Sequence, residues 1–462
     1  MFSVFDAQPL HPDFRLPEPL TLRLEAGEHL ALTGPNGGGK TTLGRLIAGA
    51  LPLRQGHIDY GCPRSAVRFT AFTGAWGDTL PAAHQLRWHH GEDVHSPLVA
   101  EFLGGGDGWK SKCEAFPELA ALATKPLHWL SSGELRKVHL AKALSGDTRL
   151  AVIDEPYIGL DASARAELTA FLERMAKRCT LVLLLADERD IPAFVNSRKR
   201  VEGLRLVDDI CQSPERRPLP ERLAPHLAVA PPHAAEAIRL SDVSVTYFGR
   251  PILQHVSWTV RQGERWALTG ANGTGKSLLL SLVCADNPMA YACDVRVFGL
   301  RRGHGGSIWD VKRRIGYVSP EQVRGYSASR AAADIVASGL SDTGRLHRRA
   351  TPAERAEAEQ WLAQFGAAHL ADRDFLTLSD GEKRITLLAR AFVKQPELLI
   401  LDEPFHGLDP QNRHRARSVI ENYCNNGRTL IMVSHYPEEY DGLVDQIFHL
   451  NPQTIPSNPY LQ

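Results

Sequence analysis

Short, continuously apolar runs, each ending in an acidic residue, recur in the two halves of the chain. Residues 150–153 precede Asp154, and residues 398–401 precede Asp402. A short run that is apolar at every position is typical of a strand in a parallel sheet covered on both faces. Ligands of such sheets bind beside the carboxyl ends of the strands. The pattern therefore predicts an α/β fold with its ligand site next to these acidic residues.

Helical patterns fill the space between these strands. Residues 352–362 predict a helix, with Thr351 as its N-cap and Pro352 at its first position. The glycine-rich stretch 104–108 is expected to be a surface loop. Each half is expected to follow the order strand, loop, helix, helix-rich insert, helix and buried strand.

The two halves repeat one another at a fixed spacing. A Leu-Ser-x-Gly-Glu segment at 130–134 is followed by Asp-Glu-Pro at 154–156, and the same pair recurs at 378–382 and 402–404. In both halves 24 positions separate the serine of the first segment from the glutamate of the second. Equal spacing without a gap indicates two copies of one module.

A proline-rich stretch separates the two copies. Its prolines, between residues 211 and 233, exclude a continuous helix and indicate a semi-extended linker. The expected organisation is a first domain at 1–205, a linker at 206–237, a second domain at 238–450 and an irregular tail at 451–462.

Composition and charge narrow the class of protein. The 462 residues suffice for two large domains. Basic and acidic residues balance at 53 each, so charge gives no sign of a nucleic-acid partner, and no direct DNA or RNA binding is predicted. Seven cysteines without a C-x-x-C pair indicate reduced thiols. The N-terminus has no signal-peptide pattern and the apolar runs are strand-sized, so we expect a cytoplasmic protein, either free or peripheral on the inner face of the cytoplasmic membrane.

The most specific motif is a glycine-rich octet that occurs at 34–41 and again at 270–277. Both copies fit Gly-x-x-x-x-Gly-Lys-Ser/Thr and follow strand-like runs. In this motif the glycines let backbone N–H groups surround a phosphate, the lysine meets the β/γ charge, and the hydroxyl reaches Mg²⁺. The predicted nucleotide-binding residues are Gly34, Asn36, Gly37, Gly39, Lys40, Thr41, Thr42, Gly270, Asn272, Gly273, Gly275, Lys276, Ser277 and Leu278.

Taken together, the octets, the Leu-Ser-x-Gly-Glu segments and the Asp-Glu-Pro segments, each followed by Gly-Leu-Asp, resemble a tandem ATP-binding-cassette (ABC) ATPase. The resemblance implies two P-loop nucleotide-binding domains, each a mixed sheet core with a helical subdomain, packed head to tail within one chain. It also implies that the protein binds ATP and Mg²⁺, hydrolyses ATP, and places each ATP between the octet of one module and the Leu-Ser-x-Gly segment of the other.

The same resemblance assigns roles to individual residues. The implied roles are Mg²⁺ binding by Thr41, Asp154, Ser277 and Asp402, general-base catalysis by Glu155 and Glu403, and γ-phosphate contact by Ser131, Gly133, Ser379 and Gly381. Tyr247 is placed to stack on adenine in the second module, and Phe14 is the candidate in the first. Gln322 becomes a further candidate Mg²⁺ ligand if its loop is shifted relative to the family pattern.

The resemblance predicts two unequal sites. His435 matches the family's γ-phosphate switch histidine, whereas Ala186 stands at that position in the first module. The acidic Asp187 and Glu188 follow, and a carboxylate beside a γ-phosphate would repel it. We therefore expect the second-module site to hydrolyse ATP well, and the first-module site to bind ATP and turn over slowly.

Residues 291–319 narrow the resemblance to tandem cassettes of the ModF and PhrA type, which are associated with molybdenum transport and photorepair. This implies an energising subunit that works with a transmembrane permease. The alternative is a soluble tandem cassette acting on a ribosome or another nucleic-acid assembly, in translation or repair. The short proline-rich linker disfavours the translation-factor branch, whose modules are joined by a long charged helix.

Two other patterns are better explained without a functional role. The histidines at 84–95 have no regular metal-ligand spacing and are expected to lie in a solvated loop. The basic residues at 301–302 and 312–314 are expected to form structural ion pairs on a solvated face.

Overall fold

The computed structural model describes residues 2–71, 97–127, 130, 132–143, 147–157, 160, 162–208, 235–247, 250–271, 273–304, 307–320, 322, 326, 329–341 and 350–451. The chain divides into two compact units, Met1–Glu215 with Gly407–Pro410 and Arg216–His406 with Gln411–Gln462. Within the described ranges, no helix has both the length and the apolar character needed to cross a bilayer.

The first unit begins with an antiparallel sheet and continues into an α/β core. Its elements are β1 (Phe2–Pro9), β2 (Leu20–Leu24), β3 (Leu30–Thr33), α1 (Lys40–Ile47), β4 (Leu53–Asp59), β5 (Val67–Ala71), α2 (Val99–Phe102), α3 (Gly106–Ala115), α4 (Ser132–Ala143), β6 (Leu150–Asp154), α5 (Ala162–Ala176), β7 (Thr180–Leu184), β8 (Ser197–Glu202) and β9 (Arg205–Asp208).

The second unit repeats this plan. Its elements are β10 (Glu236–Tyr247), β11 (Arg250–Arg261), β12 (Arg265–Thr269), α6 (Lys276–Val283), β13 (Asp294–Val297), β14 (Leu300–Arg301), α7 (Ile308–Lys312), β15 (Ile315–Val318), α8 (Ala332–Ala337), α9 (Pro352–Gln364), α10 (Asp380–Phe392), β16 (Leu398–Asp402), α11 (Pro410–Cys424), β17 (Thr429–Val433), α12 (Pro437–Tyr440) and β18 (Gln446–His449).

Each unit contains one largely parallel sheet and one antiparallel sheet. The strand order is β5-β6-β7-β3-β8-β9 in the first parallel sheet, with β9 antiparallel at its edge, and β15-β16-β17-β12-β18 in the second. The antiparallel sheets have the orders β2-β1-β4 and β11-β10-β13-β14. All five residues of β6 and of β16 are buried, because both strands lie between parallel neighbours. The predicted α/β fold with two buried acid-ended strands is therefore confirmed.

The predicted helix at 352–362 is confirmed as α9. Thr351 Oγ1 accepts a hydrogen bond from the backbone N–H of Glu354 at 3.3 Å, and Glu354 Oε2 accepts one from the N–H of Thr351 at 2.8 Å. This reciprocal pair satisfies two N–H groups that have no partner inside the helix. The prediction of a loop across 104–108 was wrong in part, because α3 already begins at Gly106.

Three sequence predictions concern segments outside the described residues. The linker prediction falls mainly on residues 209–234, which β9 and β10 flank, and the tail prediction falls on residues 452–462. The histidines at 84–95 lie in the undescribed range 72–96. The domain limits, the irregular tail and the solvated histidine loop remain predictions.

Candidate functional site

Both glycine-rich octets connect a central strand of a parallel sheet to a helix, β3 to α1 and β12 to α6. The backbone at Gly34 has φ 141° and that at Gly270 has φ 142°. A Cβ atom would lie 2.2 Å from the carbonyl oxygen of Val201 at the first position, and 2.5 Å from that of Leu450 at the second. Since real Cβ atoms do not approach this closely, only glycine fits at the start of either loop.

The octet lysines fold back over their own loops in the same way. Lys40 Nζ donates to the carbonyl oxygens of Gly34 at 2.8 Å and Pro35 at 3.1 Å. Lys276 Nζ donates to those of Gly270 at 2.6 Å and Ala271 at 2.9 Å. Burial lowers the pKa of Lys40, and the neighbouring Glu155 and Asp154 carboxylates oppose that shift. Each loop thus holds a buried amine at its centre, where the octet motif predicts the β/γ charge.

The residues after each lysine begin the helix that follows the loop. Thr41 Oγ1 donates to Asp154 Oδ2 at 2.7 Å, which joins the first turn of α1 to the end of β6. Thr42 and Ser277 occupy the first turns of α1 and α6. Leu278 packs its side chain in the core, so a nucleotide contact at this position requires its backbone. Asn272 lies outside the described residues.

The oxygen atoms beside each octet fit a magnesium ion. Mg²⁺ prefers one or two carboxylates supplemented by hydroxyl, phosphate and water oxygens, as the Thr41 hydroxyl and the Asp154 carboxylate provide. Asp402 ends β16 at the corresponding place in the second unit. Gln322 Oε1 is buried and has no hydrogen-bond partner among the described residues, and its role as a further ligand remains a prediction. Within the described part of the chain, no group of three or more His, Cys, Asp and Glu residues forms a separate metal site.

The glutamate after each strand-end aspartate has an unusual backbone conformation. Glu155 has φ 49° and Glu403 has φ 50°, in the left-handed region that costs a non-glycine residue about 1–2 kcal/mol. The backbone N–H of Glu155 donates to Leu184 at 3.0 Å, and that of Glu403 to Val433 at 2.9 Å. These hydrogen bonds to the neighbouring strand fix the backbone of both glutamates at the carboxyl ends of β6 and β16.

Burial changes the acidity of both glutamates. It raises the pKa of Glu155 to about 8, although the Lys40 ammonium opposes the shift. It also raises the pKa of Glu403 well above its usual range, and the charges of Asp402 and Glu439 add to the effect. A carboxylate with a raised pKa is a stronger base once ionised, which suits a group that accepts a proton from water.

The loops after β7 and β17 distinguish the two units. His435 Nε2 lies 3.5 Å from Glu403 Oε1, and the preceding Ser434 donates to Glu439 Oε2 at 2.6 Å. In the first unit the backbone N–H of Ala186 is near the Glu155 carboxylate and acts to lower its pKa. The first unit therefore places a backbone amide beside its glutamate where the second places an imidazole.

The acidic residues after Ala186 have cationic partners that the sequence did not reveal. Asp187 Oδ2 lies 2.7 Å from Arg189 Nη2, and Glu188 Oε1 lies 3.8 Å from Arg200 Nη1. These arginines offset the negative charge, so the expected repulsion of a γ-phosphate by Asp187 and Glu188 is weaker than the sequence implied. The imidazole of His435 remains a difference between the two loops.

The two Leu-Ser-x-Gly-Glu segments lie at the N-terminal ends of α4 and α10. Ser379 caps α10, where its hydroxyl accepts from the backbone N–H of Glu382 at 3.4 Å. Gly381 is buried in the first turn of the same helix. Gly133 lies in the first turn of α4, and Ser131 is outside the described residues. Exposed N–H groups at such a helix end favour an anion.

The two candidate adenine-stacking residues have different surroundings. Tyr247 ends β10, and its hydroxyl donates to Asn287 Oδ1 at 3.2 Å. Asn287 is buried and also donates to Ser281 in α6, the helix that follows the octet. Phe14 ends a short 3-10 turn, where its ring lies 5.7 Å from that of His11. Tyr247 is thus tied to its octet helix through one asparagine.

Sequence reasoning missed two arginines that support the site. Arg136 Nη1 donates to the carbonyl oxygens of Pro156 at 2.5 Å and Glu155 at 3.4 Å. The buried Arg384 stands at the same place in the second copy, and its charge opposes the pKa shift of Glu403. The repeat could have revealed these arginines, because both come two positions after the glutamate of the Leu-Ser-x-Gly-Glu segment.

Comparison with known families identifies both copies of the module. The ABC transporter family profile matches residues 17–158 and again residues 253–406. The two matches include both octets, and together they cover more than half of the chain.

Similar proteins carry the same family name, and two of the three described below match almost the whole chain. The ABC transporter ATP-binding protein ModF of Escherichia coli is 34% identical over 94% of this chain and 94% of its own length. An uncharacterised ABC transporter ATP-binding protein of Schizosaccharomyces pombe is 28% identical over 95% of each chain. The uncharacterised ABC transporter ATP-binding protein YlmA of Bacillus subtilis is 34% identical over 44% of this chain and 77% of its own length.

Proposed function

The chain belongs to the ABC family of ATP-binding proteins, as a tandem cassette ATPase, and on that premise we propose that its ATP hydrolysis drives a separate transmembrane permease. The observation that supports an ATP-driven role is the double occurrence of one site. Each unit has a buried lysine beside the carboxyl end of its parallel sheet. The same end holds a strand-end aspartate and a glutamate with a raised pKa. Phosphoryl transfer requires this kind of positioning and charge neutralisation.

The chain's own groups support a division of labour at the second site. We propose that Lys276 neutralises the β- and γ-phosphates, that Ser277 and Asp402 hold Mg²⁺, and that Glu403 accepts a proton from the attacking water. Mg²⁺ held there would supply positive charge that neutralises the phosphate oxygens during transfer. His435, 3.5 Å from Glu403, would contact the γ-phosphate and orient the carboxylate.

In the first site we propose the same binding roles with slower chemistry. Lys40 would meet the phosphates, Thr41 and Asp154 would hold the metal, and Glu155 would face the water. The Thr41–Asp154 hydrogen bond supports this arrangement, because it joins the two proposed metal ligands. With the backbone amide of Ala186 in place of an imidazole, this site would mainly bind ATP.

The remaining predicted contacts complete both sites. We propose that Tyr247 stacks on adenine and that Gln322 adds a metal ligand in the second cassette. As in the family, each ATP would also be contacted by the Leu-Ser-x-Gly segment of the other cassette, with both cassettes supplied by one chain. Ser131 and Gly133 would then complete the fast site, while Ser379 and Gly381 would complete the slow one.

The proposed cargo is an oxyanion of molybdenum. This part of the proposal is supported by the similarity to a protein named ModF and by the resemblance of residues 291–319 to that group. Work with a permease would place the chain on the inner face of the cytoplasmic membrane. Molybdate would be a cargo of the permease rather than a ligand of the ATP sites described above.

The alternative role on a ribosome or nucleic-acid assembly has weaker support. Such a role would need a basic surface, and three of the five basic residues at 301–302 and 312–314 have acidic partners, among them Lys312 with Asp286 at 2.5 Å. Arg314 makes two hydrogen bonds to Glu397, at 2.6 and 2.7 Å, and Arg301 lies 3.4 Å from Asp294. A surface that binds phosphate backbones would carry unpaired cations in excess.

Molybdate uptake in cells tests the proposed function. Cells lacking the gene are complemented with the wild-type chain or with Glu403→Gln, and uptake of labelled molybdate is measured. We expect the wild-type chain to restore uptake and Glu403→Gln to leave it low. Unchanged uptake after deletion, with ATP-dependent co-sedimentation of the chain with ribosomes, would favour the alternative.

A further inference from the structure

The glutamate that ends each Leu-Ser-x-Gly-Glu segment is paired with a basic residue. In the second unit Glu382 lies in the first turn of α10, with its side chain 11% exposed. Its Oε2 accepts from the backbone N–H of Ser379 at 2.8 Å, and its Oε1 accepts from Arg373 Nη1 at 2.9 Å. One carboxylate thus caps the helix and binds a guanidinium at the same time.

The first unit repeats the pair with a different cation. Lys125 Nζ lies 2.9 Å from Glu134 Oε1. Both basic residues precede their glutamate by nine positions. The pairing therefore depends on positive charge at this place and not on the shape of a guanidinium.

The backbones of the two basic residues are fixed in the same way. The carbonyl oxygen of Arg373 accepts from the N–H of Ala332 at 2.9 Å, at the start of α8. The carbonyl oxygen of Lys125 accepts from the N–H of Val99 at 3.0 Å, at the start of α2. The backbone of each basic residue is thus bonded to the start of a nearby helix, α8 or α2.

The basic partner offsets an unfavourable interaction between the helix-capping glutamate and an anionic ligand. A carboxylate in the first turn stabilises a helix, because it accepts from N–H groups and complements the positive helix end. The same carboxylate would oppose an anionic ligand at that helix end, where two negative charges would lie close together. A fixed cation beside the carboxylate removes the conflict and leaves the helix N–H groups available.

We propose that Lys125 and Arg373 are positioning residues for ATP, which neutralise Glu134 and Glu382 so that these two carboxylates do not oppose the approach of the γ-phosphate to the N-terminal ends of α4 and α10. The inference rests on the proposed contact between these segments and ATP. It concerns the strength of that contact and not the permease or its cargo.

Turnover of the full-length protein tests the pair in the first unit. Lys125→Met should raise the KM for ATP about fivefold at low salt, with kcat within about twofold, and added KCl should reduce the effect. The double variant Lys125→Met/Glu134→Gln should return the KM to within about twofold of the wild type, because no charge remains to neutralise. Glutamine keeps an amide oxygen that can cap the helix.

A matched control separates electrostatics from loss of structure. Arg174→Met removes an ion pair with Glu118 in the same unit and should leave the KM unchanged. An unchanged KM in Lys125→Met would overturn the inference. A double variant as impaired as the single one, with a lowered melting temperature in both, would also overturn it, since a structural pair is not restored by removing both partners.

The second pair is tested by affinity, because its segment is assigned to the slow site. Arg373→Met should weaken binding of a non-hydrolysable ATP analogue about fivefold, and Arg373→Met/Glu382→Gln should restore it. The same binding assay on the Lys125 variants tests the inference even if the wild-type chain hydrolyses no ATP. Absence of hydrolysis would contradict the proposed function but not the inference. Equal affinity in all variants would refute the inference.

Discussion

The imidazole Nε2 of His435 lies 3.5 Å from Oε1 of Glu403, whereas the matching carboxylate, Glu155, is near the backbone N–H of Ala186. Both glutamates are partly buried at the carboxyl ends of equivalent strands and have nearly the same backbone conformation. The two sites therefore share a base of similar placement but differ in the group that faces it.

Glutamine substitution should separate the contributions of the two sites. We expect Glu403→Gln to lower steady-state ATP hydrolysis at least about a hundredfold, because no base remains at the fast site. Glu155→Gln should leave most of the activity, and both variants should still bind ATP. Phosphate release measured on the purified full-length variants provides the check. Equal loss in both would show that the sites contribute alike.

Restoring the imidazole should activate the first site. In a Glu403→Gln background, Ala186→His is expected to raise the residual hydrolysis about tenfold, because an imidazole would face Glu155 and the γ-phosphate. The comparison is made with Ala186→Asn, which adds a polar side chain of smaller reach. If histidine and asparagine give the same rate, the missing imidazole does not explain the slow site.

The Tyr247 ring should dominate the affinity of the second site for the base. Tyr247→Ala is expected to weaken binding of a fluorescent ATP analogue about tenfold, because aromatic stacking on a base is worth roughly 1–3 kcal/mol. Tyr247→Phe keeps the ring, loses the 3.2 Å hydrogen bond to Asn287 and should change affinity about twofold. Tyr291→Ala, which removes an exposed aromatic ring of the same unit, is the control. Unchanged affinity in Tyr247→Ala would contradict the assignment.

The raised pKa of Glu155 predicts a pH-dependent stability. Between pH 4.5 and about 8 the folded protein keeps a proton that the unfolded chain has released, so the free energy of unfolding falls as pH rises across this window. Glutamine does not titrate, so Glu155→Gln should not lose stability between pH 4.5 and about 8. Its melting temperature should exceed that of the wild type by about 3 °C or more at pH 8, with little difference at pH 4.5.

Thermal unfolding without nucleotide at several pH values measures this effect. Glu173→Gln, which changes an exposed glutamate on α5, should keep the pH dependence of the wild type. A Glu155→Gln variant with the wild-type slope would show that the carboxyl titrates normally in the folded protein.

Local sequence patterns predicted the elements whose signal is local. The buried strands, the octets and the Thr351 cap each depend on a few adjacent residues, so their positions were predictable. The start of α3 was not, because Gly104–Gly106 favour a turn by themselves. Packing of Trp109 and Cys113 against the core supports this helix, and such tertiary contacts outweigh local propensity.

Charge compensation was beyond the reach of local patterns. Arg200 lies on β8, twelve positions after Glu188, and only the sheet brings the two side chains together. The pairing of Lys125 with Glu134 also needs the folded insert, although its repetition at Arg373 and Glu382 was visible once the copies were aligned. The sequence alone therefore overstated the negative charge near Ala186.

The left-handed backbone at Glu155 and Glu403 limits which residues evolution can sample there, independently of catalysis. If protein abundance alone were selected, glycine and asparagine would be enriched at both positions and valine, isoleucine and threonine depleted, because β-branched side chains fit this conformation worst. Glutamate stands at both positions of this chain, against that preference. A mutational scan that scores abundance and activity separately should therefore rank the residues at these two positions differently. Glycine and asparagine should score highest for abundance, and glutamate highest for activity.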